Sequence, residues 1–516
     1  MVDEYQDSNE VQDAIFSALT QQRQNCFMVG DVKQSIYQFR LADPNIFLDK
    51  YDHYVPAEKA QPGQGRKVML SHNFRSAGPV IHAVNDVFAH CMIPKVGGLV
   101  YDDAVMLHEG IPHIAIEEPE IELCVLETQN ATYSDEAAYT ADRIIDLLDG
   151  THMVRDGDTC RAIVADDIMI LLRSPKTNGA EFQYALESRG IRVNAASGIN
   201  ILETEEISLL RSILQIIENP LQDIPLIAVL ASRIFCFTAD DLTLIRTENP
   251  RRYFYDSLKQ SKAEKACEFI DLLQKLRQES KLCSVSQLIN GIFRVTRMDS
   301  IYASMDDGSV RKENLQIFYD LAVRCEGAGI TEIGQFLDYL DSLGIEGVTK
   351  PPEYKISGAV TIMSIHKSKG LEFPVVFLCG LSRDFSRRSI QENVLCHRDL
   401  GIGLNCVDLV NRVRYPSVAK KAITARILSD GLSEEMRVLY VAMTRARDRL
   451  VMTYASQCLE ADLKDIVLRQ DFGGGELVCR EATCMGDWVL LAALQRTEAG
   501  FLHISAGRPA ETHVSP

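Results

Sequence analysis

No stretch of this chain is apolar for anything near the roughly 18 residues that a bilayer-spanning helix needs. The polar, acidic start MVDEYQDSNEVQ also lacks the basic and apolar regions of a secretory leader. No membrane-spanning helix is expected, and a cytoplasmic chain is the default reading. Fourteen cysteines occur, none in a Cys-x-x-Cys pair, and Cys479 with Cys484 lacks the partner spacing of a zinc site. They read as reduced thiols, many of them buried. Positive charge is in deficit, with 54 Lys and Arg against 72 Asp and Glu and a net charge of −18. A general electrostatic grip on nucleic acid needs an excess of cations to displace counterions, so any nucleic-acid surface here must be local. Finally, no G-x-x-x-x-G-K-[ST] occurs. The nearest imitation, GQGRKV at 63–68, lacks both the spacing and the terminal hydroxyl, so the 516 residues contain no phosphate-cradling loop with its lysine.

What is present is an ordinary globular composition, 46% apolar and 24% charged, over a length that suggests about three domains. Strand-like runs fall at 26–30, 121–126, 168–172, 359–364, 374–379 and 449–454, several followed by turn residues and helical periodicity. That alternation predicts an α/β fold with a parallel sheet and covering helices. Between about 200 and 350 the pattern turns helical, as in EISLLRSILQIIENP at 206–220 and NLQIFYDLAVRC at 314–325. The Pro- and Gly-rich stretches 56–65 and 347–358 read as linkers. The tail from about 457, with a Gly run at 473–475 and the single Trp488, suggests no chemistry.

The adjacent acids Asp3 and Glu4 would by themselves be an ordinary helix start, where carboxylates meet the positive end of the macrodipole. CFMVGDVKQSIYQFR at 26–40 reads differently, as a buried strand emptying into a loop. With LSHNFRS at 70–76, MSIHKSKGLEF at 363–373, the Gly-Leu pair at 380–381 and EEMRVLYVAMTRARDRL at 434–450, these stretches resemble, in order and spacing, motifs II to VI of superfamily 1A helicases of the UvrD, Rep and RecB kind. GDVKQSIYQFRLADPNIF at 30–47, NPLQDIPLIAVLAS at 219–232 and ATCMGDWVLLAAL at 482–494 are similar to the AddA-type helicase/nuclease proteins. The resemblance covers nearly the whole chain but only a middle portion of such a protein.

This resemblance implies RecA-like parallel sheets. Residues 1–64 would be the C-terminal part of a first motor domain, 65–200 and 350–456 the two parts of a second, 201–349 a helical insertion, and 457–516 a linker toward a further domain. Residues 1–55, cut from their phosphate-loop strand, are expected to be the least stable part. The implied activity is ATP- and Mg²⁺-dependent 3′→5′ movement on DNA, single- or double-stranded, beside an AddB-like partner. The alternatives are a stand-alone UvrD-type helicase and a non-catalytic scaffold; retention of the acids, Gln34 and both arginines counts against the scaffold.

Phosphoryl transfer needs an acid-held metal, an oriented water and positive charge where the transition state spreads negative charge. Asp3 is the candidate for the metal and Glu4 for the base. Gln34 suits sensing of a γ-phosphate. Tyr37, Phe39 and Arg40 offer the aromatic faces and cation on which single-strand bases stack; the competing reading is core aromatics on a strand. Arg75 and Arg445 are the arginines the resemblance places at the γ-phosphate, Arg445 being preferred over Arg447 and Arg449, with 435–447 read as an amphipathic helix carrying Met436, Leu439, Tyr440 and Met443 on one stripe. The resemblance also implies that Phe74 stacks on adenine, that Gly370 permits close backbone approach, that Glu372 accepts from ribose or positions Arg445, and that Ser364 and His366 face DNA. Lys367 and Lys369 would add local positive charge or merely solubilise their loop.

Overall fold

The computed structural model describes the chain apart from residues 21–24, 62, 111–113, 117–119, 129–130, 158, 196–200, 249, 251–252, 306–307, 344–356, 496–501 and 508–516. It divides into two compact units, residues 1–197 with 355–516, and residues 198–354.

The first unit is built on seven parallel strands: β1 Ile121–Glu127, β2 Ile168–Leu172, β3 Val193–Ala195, β4 Val360–Ser364, β5 Phe373–Leu378, β6 Ala446–Ser456 and β7 Leu502–Gly507. Their order across the sheet is β7-β1-β6-β5-β2-β4-β3. Central strands covered on both faces must be apolar at every position, and IMILL of β2 is buried throughout. Its alternate residues serve opposite layers. Met169 and Leu171, with Val376, Leu378, Leu450 and Met452, face a core filled by Val84 and Phe88 of the helix Gly78–Cys91 and by Leu439 and Tyr440 of the helix Val418–Met443. Ile168 and Ile170, with Val375 and Phe377, face Ala141 and Ile144 of the helix Tyr133–Leu147 and Phe182 and Leu186 of the helix Pro175–Glu187.

Three expectations are corrected here. The run 26–30 forms no strand: a single parallel bridge joins Val2 to Met28, because a strand exists only through its ladder and the first 64 residues offer Met28 no other neighbour among those described. The helix predicted over 435–447 is the C-terminal part of Val418–Met443. It ends where the Thr444 hydroxyl meets the carbonyls of Tyr440 and Val441 and where the Arg445 carbonyl accepts from the Phe373 N–H at 3.1 Å, drawing the chain into the sheet. Residues 436–443 are buried all round rather than on one stripe. The tail is no mere linker: the helical segment Leu459–Arg480, broken by a kink at Gly474, and the helix Met485–Gln495 pack on the core, with Trp488 fully buried against Phe385 at 5.3 Å between ring centroids.

The second unit is helical from Glu205–Glu218 to Ile333–Ser342. In its first helix Ile207, Leu210, Ile213, Leu214 and Ile217 form the buried stripe, the 3.6-residue spacing of a one-faced amphipathic helix. Of the second linker, 347–356 lies outside the described residues. In the first unit, the first linker lies between two short strands, Val55–Pro56 and Arg66–Lys67, which form one parallel pair.

The N-terminal 55 residues hold together with little sheet. Their helix Glu10–Leu19 buries no side chain fully, and Tyr5 is their main buried aromatic, between Phe16 and Phe47. Amides of Tyr5 and Val29 are therefore expected to exchange with solvent hydrogen faster than those of β2, β5 and β6 under native conditions. Equal protection, measured by hydrogen exchange, would show that this segment opens only with the whole unit.

Candidate functional site

Two loops of the N-terminal segment meet first. The Val2 N–H donates to the Phe27 carbonyl and the Val2 carbonyl accepts from Val29, while Tyr5 N–H donates to the Val29 carbonyl, each at 2.9 Å. Gln6 then accepts from the Asp31 N–H at 3.0 Å. A Cβ at position 30 would sit 2.5 Å from the Gln6 carboxamide oxygen, so the approach requires Gly30. Asp3 and Glu4 emerge exposed after the bridge. Glu4 takes a left-handed conformation, φ 52°, sparsely populated for a residue with a Cβ, while its N–H donates to the Asp3 carboxylate at 2.9 Å.

Into this corner reaches Lys369, its side chain only 5% exposed. The ammonium pairs with Glu4 at 3.1 Å and with Asp7, and donates to the Gln34 carbonyl at 2.8 Å. It also lies 5.2 Å from the centre of the Tyr37 ring. Burial raises the Asp7 carboxyl, against the opposing pull of Lys369. The turn that carries this lysine closes through Gly370 at φ 81°, with open space where a Cβ would be. Glycine is needed there for its dihedral.

The two arginines arrive by a separate set of stitches. Asn73 Oδ1 accepts from the N–H groups of Arg75 and Ser76. The Ser76 hydroxyl donates to the Ala446 carbonyl, and Ala77 N–H to that of Arg447 at 2.8 Å. LSHNFRS is thereby fixed to the start of β6. Arg445, buried at the turn before β6, donates to the carbonyls of Val441 at 2.9 Å and Leu371 at 3.0 Å. Burial, and after it Arg75, pulls its guanidinium down to about 10, while Tyr440, Glu4 and Glu372 act the other way. It is still a cation at neutral pH, and the charges of Glu4 and Arg75 both reach it. Glu372 pairs with Arg75, and its charge also acts on Arg445.

Other residues are placed as follows. Gln34 donates its carboxamide to Asp31 at 3.0 Å. Tyr37 and Phe39 sit 5.8 Å apart, edge to face, with Arg40 over both rings. Residues 38–40 form a 3-10 turn, not a strand, and Phe39 is 62% exposed, so the core-aromatic reading fails for it. His366 packs edge-on to Phe39 at 5.4 Å, and its carbonyl accepts from the Tyr37 hydroxyl. The Ser364 hydroxyl is engaged by the Lys367 N–H at 3.2 Å and so caps its own turn. Phe74 is 64% exposed, its ring against Gly110.

The family comparison places the chain as a whole. The description "UvrD-like helicase C-terminal domain" matches residues 68–457, and "UvrD/REP helicase N-terminal domain" matches residues 1–55. The chain belongs to the UvrD-like helicases. Among curated relatives, an ATP-dependent helicase/nuclease protein of Ruminiclostridium cellulolyticum is 37% identical over 507 residues, covering 88% of this chain and 40% of its own length. Proteins of the same name from Thermoanaerobacter sp. (strain X514) and Clostridium perfringens are 35% and 36% identical, covering 90% and 89% of this chain. This UvrD-like chain spans about two fifths of the length of those relatives.

Sequence reasoning missed three anchors of the helicase constellation. Asp7 was visible in the acidic YQD run but not its lysine partner. Arg437, 4% exposed, donates to the Ser35 carbonyl at 2.7 Å, and Ser35 donates its hydroxyl to the Gln6 carbonyl. Nothing in EEMRVLY marks that arginine as reaching a loop so far back in the chain. Arg398, paired with Asp43 and Glu10, adds a third tie.

Burial, with Arg173 and Arg40 nearby, pulls the His366 imidazole down to about 4 from 6.5. The unfolded chain then takes up a proton near pH 6.5 that the folded chain refuses until about 4. This contribution to stability is full above pH 6.5 and is lost as pH falls through that window. The melting temperature of the wild type should fall more between about pH 7 and pH 5 than that of His366→Gln. Parallel profiles would contradict a neutral, desolvated imidazole.

Proposed function

We propose that this chain carries the catalytic acids, the arginines and the strand-contacting platform of an ATP-driven 3′→5′ DNA translocase of the helicase/nuclease type. It would act in the cytoplasm on broken DNA and beside an AddB-like partner. The observation that carries this reading is Lys369, one ammonium touching the Glu4 carboxylate, the Gln34 carbonyl and the Tyr37 ring.

The donor set fits the metal and γ-phosphate end of ATP·Mg²⁺: exposed carboxylates at 3 and 4, and guanidinium groups at 75 and 445 whose charges reach the same corner. Bound there, Mg²⁺ would neutralise phosphate charge. Asp3 would hold it through water. Glu4 would orient the attacking water and take its proton, which requires exchanging its pairing with Lys369. Arg75 and Arg445 would stabilise the spreading negative charge, a contribution of about 10³–10⁵ in rate for an arginine so placed. Tyr37, Phe39 and Arg40 would stack bases of single-stranded DNA. Because Lys369 and His366 lie on one turn, a strand seated on the aromatic platform displaces the same loop that restrains Glu4. That links DNA occupancy to the base.

The chain alone, having no phosphate-cradling loop in its sequence, is expected to hydrolyse ATP at background rate with or without single-stranded DNA. Turnover that Glu4→Gln abolishes would overturn this. With a phosphate-loop segment fused ahead of Met1, DNA-stimulated hydrolysis should appear and fall at least about 10²-fold in Arg445→Ala. Hydrolysis unaffected by that substitution would refute the assigned arginine.

A further inference from the structure

Gln6 is buried between Glu4 and the loop after Val29, only 1% exposed, where a polar side chain is costly unless its hydrogen bonds are met. It sits in the 3-10 turn Tyr5–Asp7, which the left-handed Glu4 opens. That reversal brings the side chains of residues 4 and 6 together. Gln6 Nε2 donates to Glu4 Oε2 at 2.6 Å, and Gln6 Oε1 accepts from the Asp31 N–H at 3.0 Å. With a carboxylate on one side and an amide hydrogen on the other, a single orientation of the carboxamide bonds both. The Gln6 backbone carbonyl accepts from the Ser35 hydroxyl at 3.0 Å, which fixes the residue from a third direction.

Glu4 receives Lys369 on the same oxygen, at 3.1 Å. Oε2 is thus taken twice, while Oε1 carries no hydrogen bond among the described residues. A carboxylate held by one oxygen presents the other at a fixed place, which is what orienting a water requires. Of the two donors, Lys369 comes from a distant loop that a ligand can move, whereas Gln6 is two residues away and closed in by Gly30. Beyond Gln6, the Asp31 carboxylate accepts from the Gln34 carboxamide at 3.0 Å and from the Lys33 N–H at 3.1 Å. One run of hydrogen bonds therefore passes from Glu4 through Gln6 and Asp31 to Gln34.

The structure assigns Gln6 as a positioning residue, whose carboxamide orients the Glu4 carboxylate and ties that orientation to the loop bearing Gln34, the side chain suited to the γ-phosphate. The inference rests on the reading of Glu4 as the base of ATP hydrolysis. Its two hydrogen bonds are separable by substitution. Gln6→Glu keeps an acceptor for the Asp31 N–H and loses the hydrogen given to Glu4. Gln6→Met keeps the volume and loses both.

In the chain itself, hydrogen exchange reads the bridge. Glu4→Ala and Gln6→Met are expected to speed exchange of the Asp31 amide about 3- to 10-fold, while Val29, whose N–H is held by the Val2 carbonyl, keeps its protection. Unchanged exchange at Asp31, or equal acceleration at both amides, overturns the assignment. In the chain fused to a phosphate-loop segment, both Gln6 variants are expected to lower kcat of DNA-stimulated hydrolysis about 10- to 100-fold, with KM for ATP changed less than about threefold. Melting curves confirm folding. Wild-type kcat in Gln6→Glu, or a KM that rises while kcat holds, overturns the assignment and leaves the translocase reading standing where Glu4→Gln still abolishes turnover. Hydrolysis that survives Glu4→Gln, or a fused wild type without DNA-stimulated hydrolysis, overturns both.

Discussion

Lys369 brings an ammonium group, almost without solvent, between two carboxylates of the N-terminal segment and a backbone carbonyl of the neighbouring loop. Taking a cation out of water is costly unless its partners replace the lost hydration. Here Glu4, Asp7 and the Gln34 carbonyl supply three acceptors, and the Tyr37 face a fourth, weaker attraction. The first 55 residues own almost no sheet and few buried side chains. This group attaches them to the seven-stranded body, beside Arg437, Arg398 and Ile36, which is fully buried in the core of that body.

That dependence has a chemical side. The same lysine that docks the segment restrains the carboxylate proposed as the base, and its turn also carries His366 of the aromatic platform. Arg75 and Arg445 are fixed independently, by hydrogen bonds to backbone carbonyls at the start of β6 and in the turn before β5. One side of the site is therefore rigid and built into the sheet. The other is held by a few charged contacts that a ligand can replace.

The sheet was legible because strands buried on both faces must be apolar throughout, and IMILL or PVVFLC leave no other reading. The same rule misled at 26–30, where CFMVG has the composition of a strand and no ladder to join. Helix ends were harder: 435–447 keeps helical periodicity, but Thr444 spends its hydroxyl on the last turn and the sheet takes the chain from Ala446. The tail looked like a linker since burial of Trp488 depends on a helix near the other end of the chain. Among site residues, the motif words singled out the acids, arginines and aromatics by type and spacing alone. The roles of Lys369 and Arg437 were hidden, because a lysine in a loop looks solvated until the segment it pairs with is placed in space.

A double-mutant cycle between Asp7 and Lys369 examines the central claim most directly, using Asp7→Asn, Lys369→Met and both together, with amide exchange at Tyr5 and Val29 as the readout of segment release. The account predicts a coupling of about 1–3 kcal/mol at those amides and unchanged protection in β5. Additive effects, or losses of protection spread equally over the sheet, would contradict the claim that this one ammonium group holds the acids at positions 3 and 4 in place.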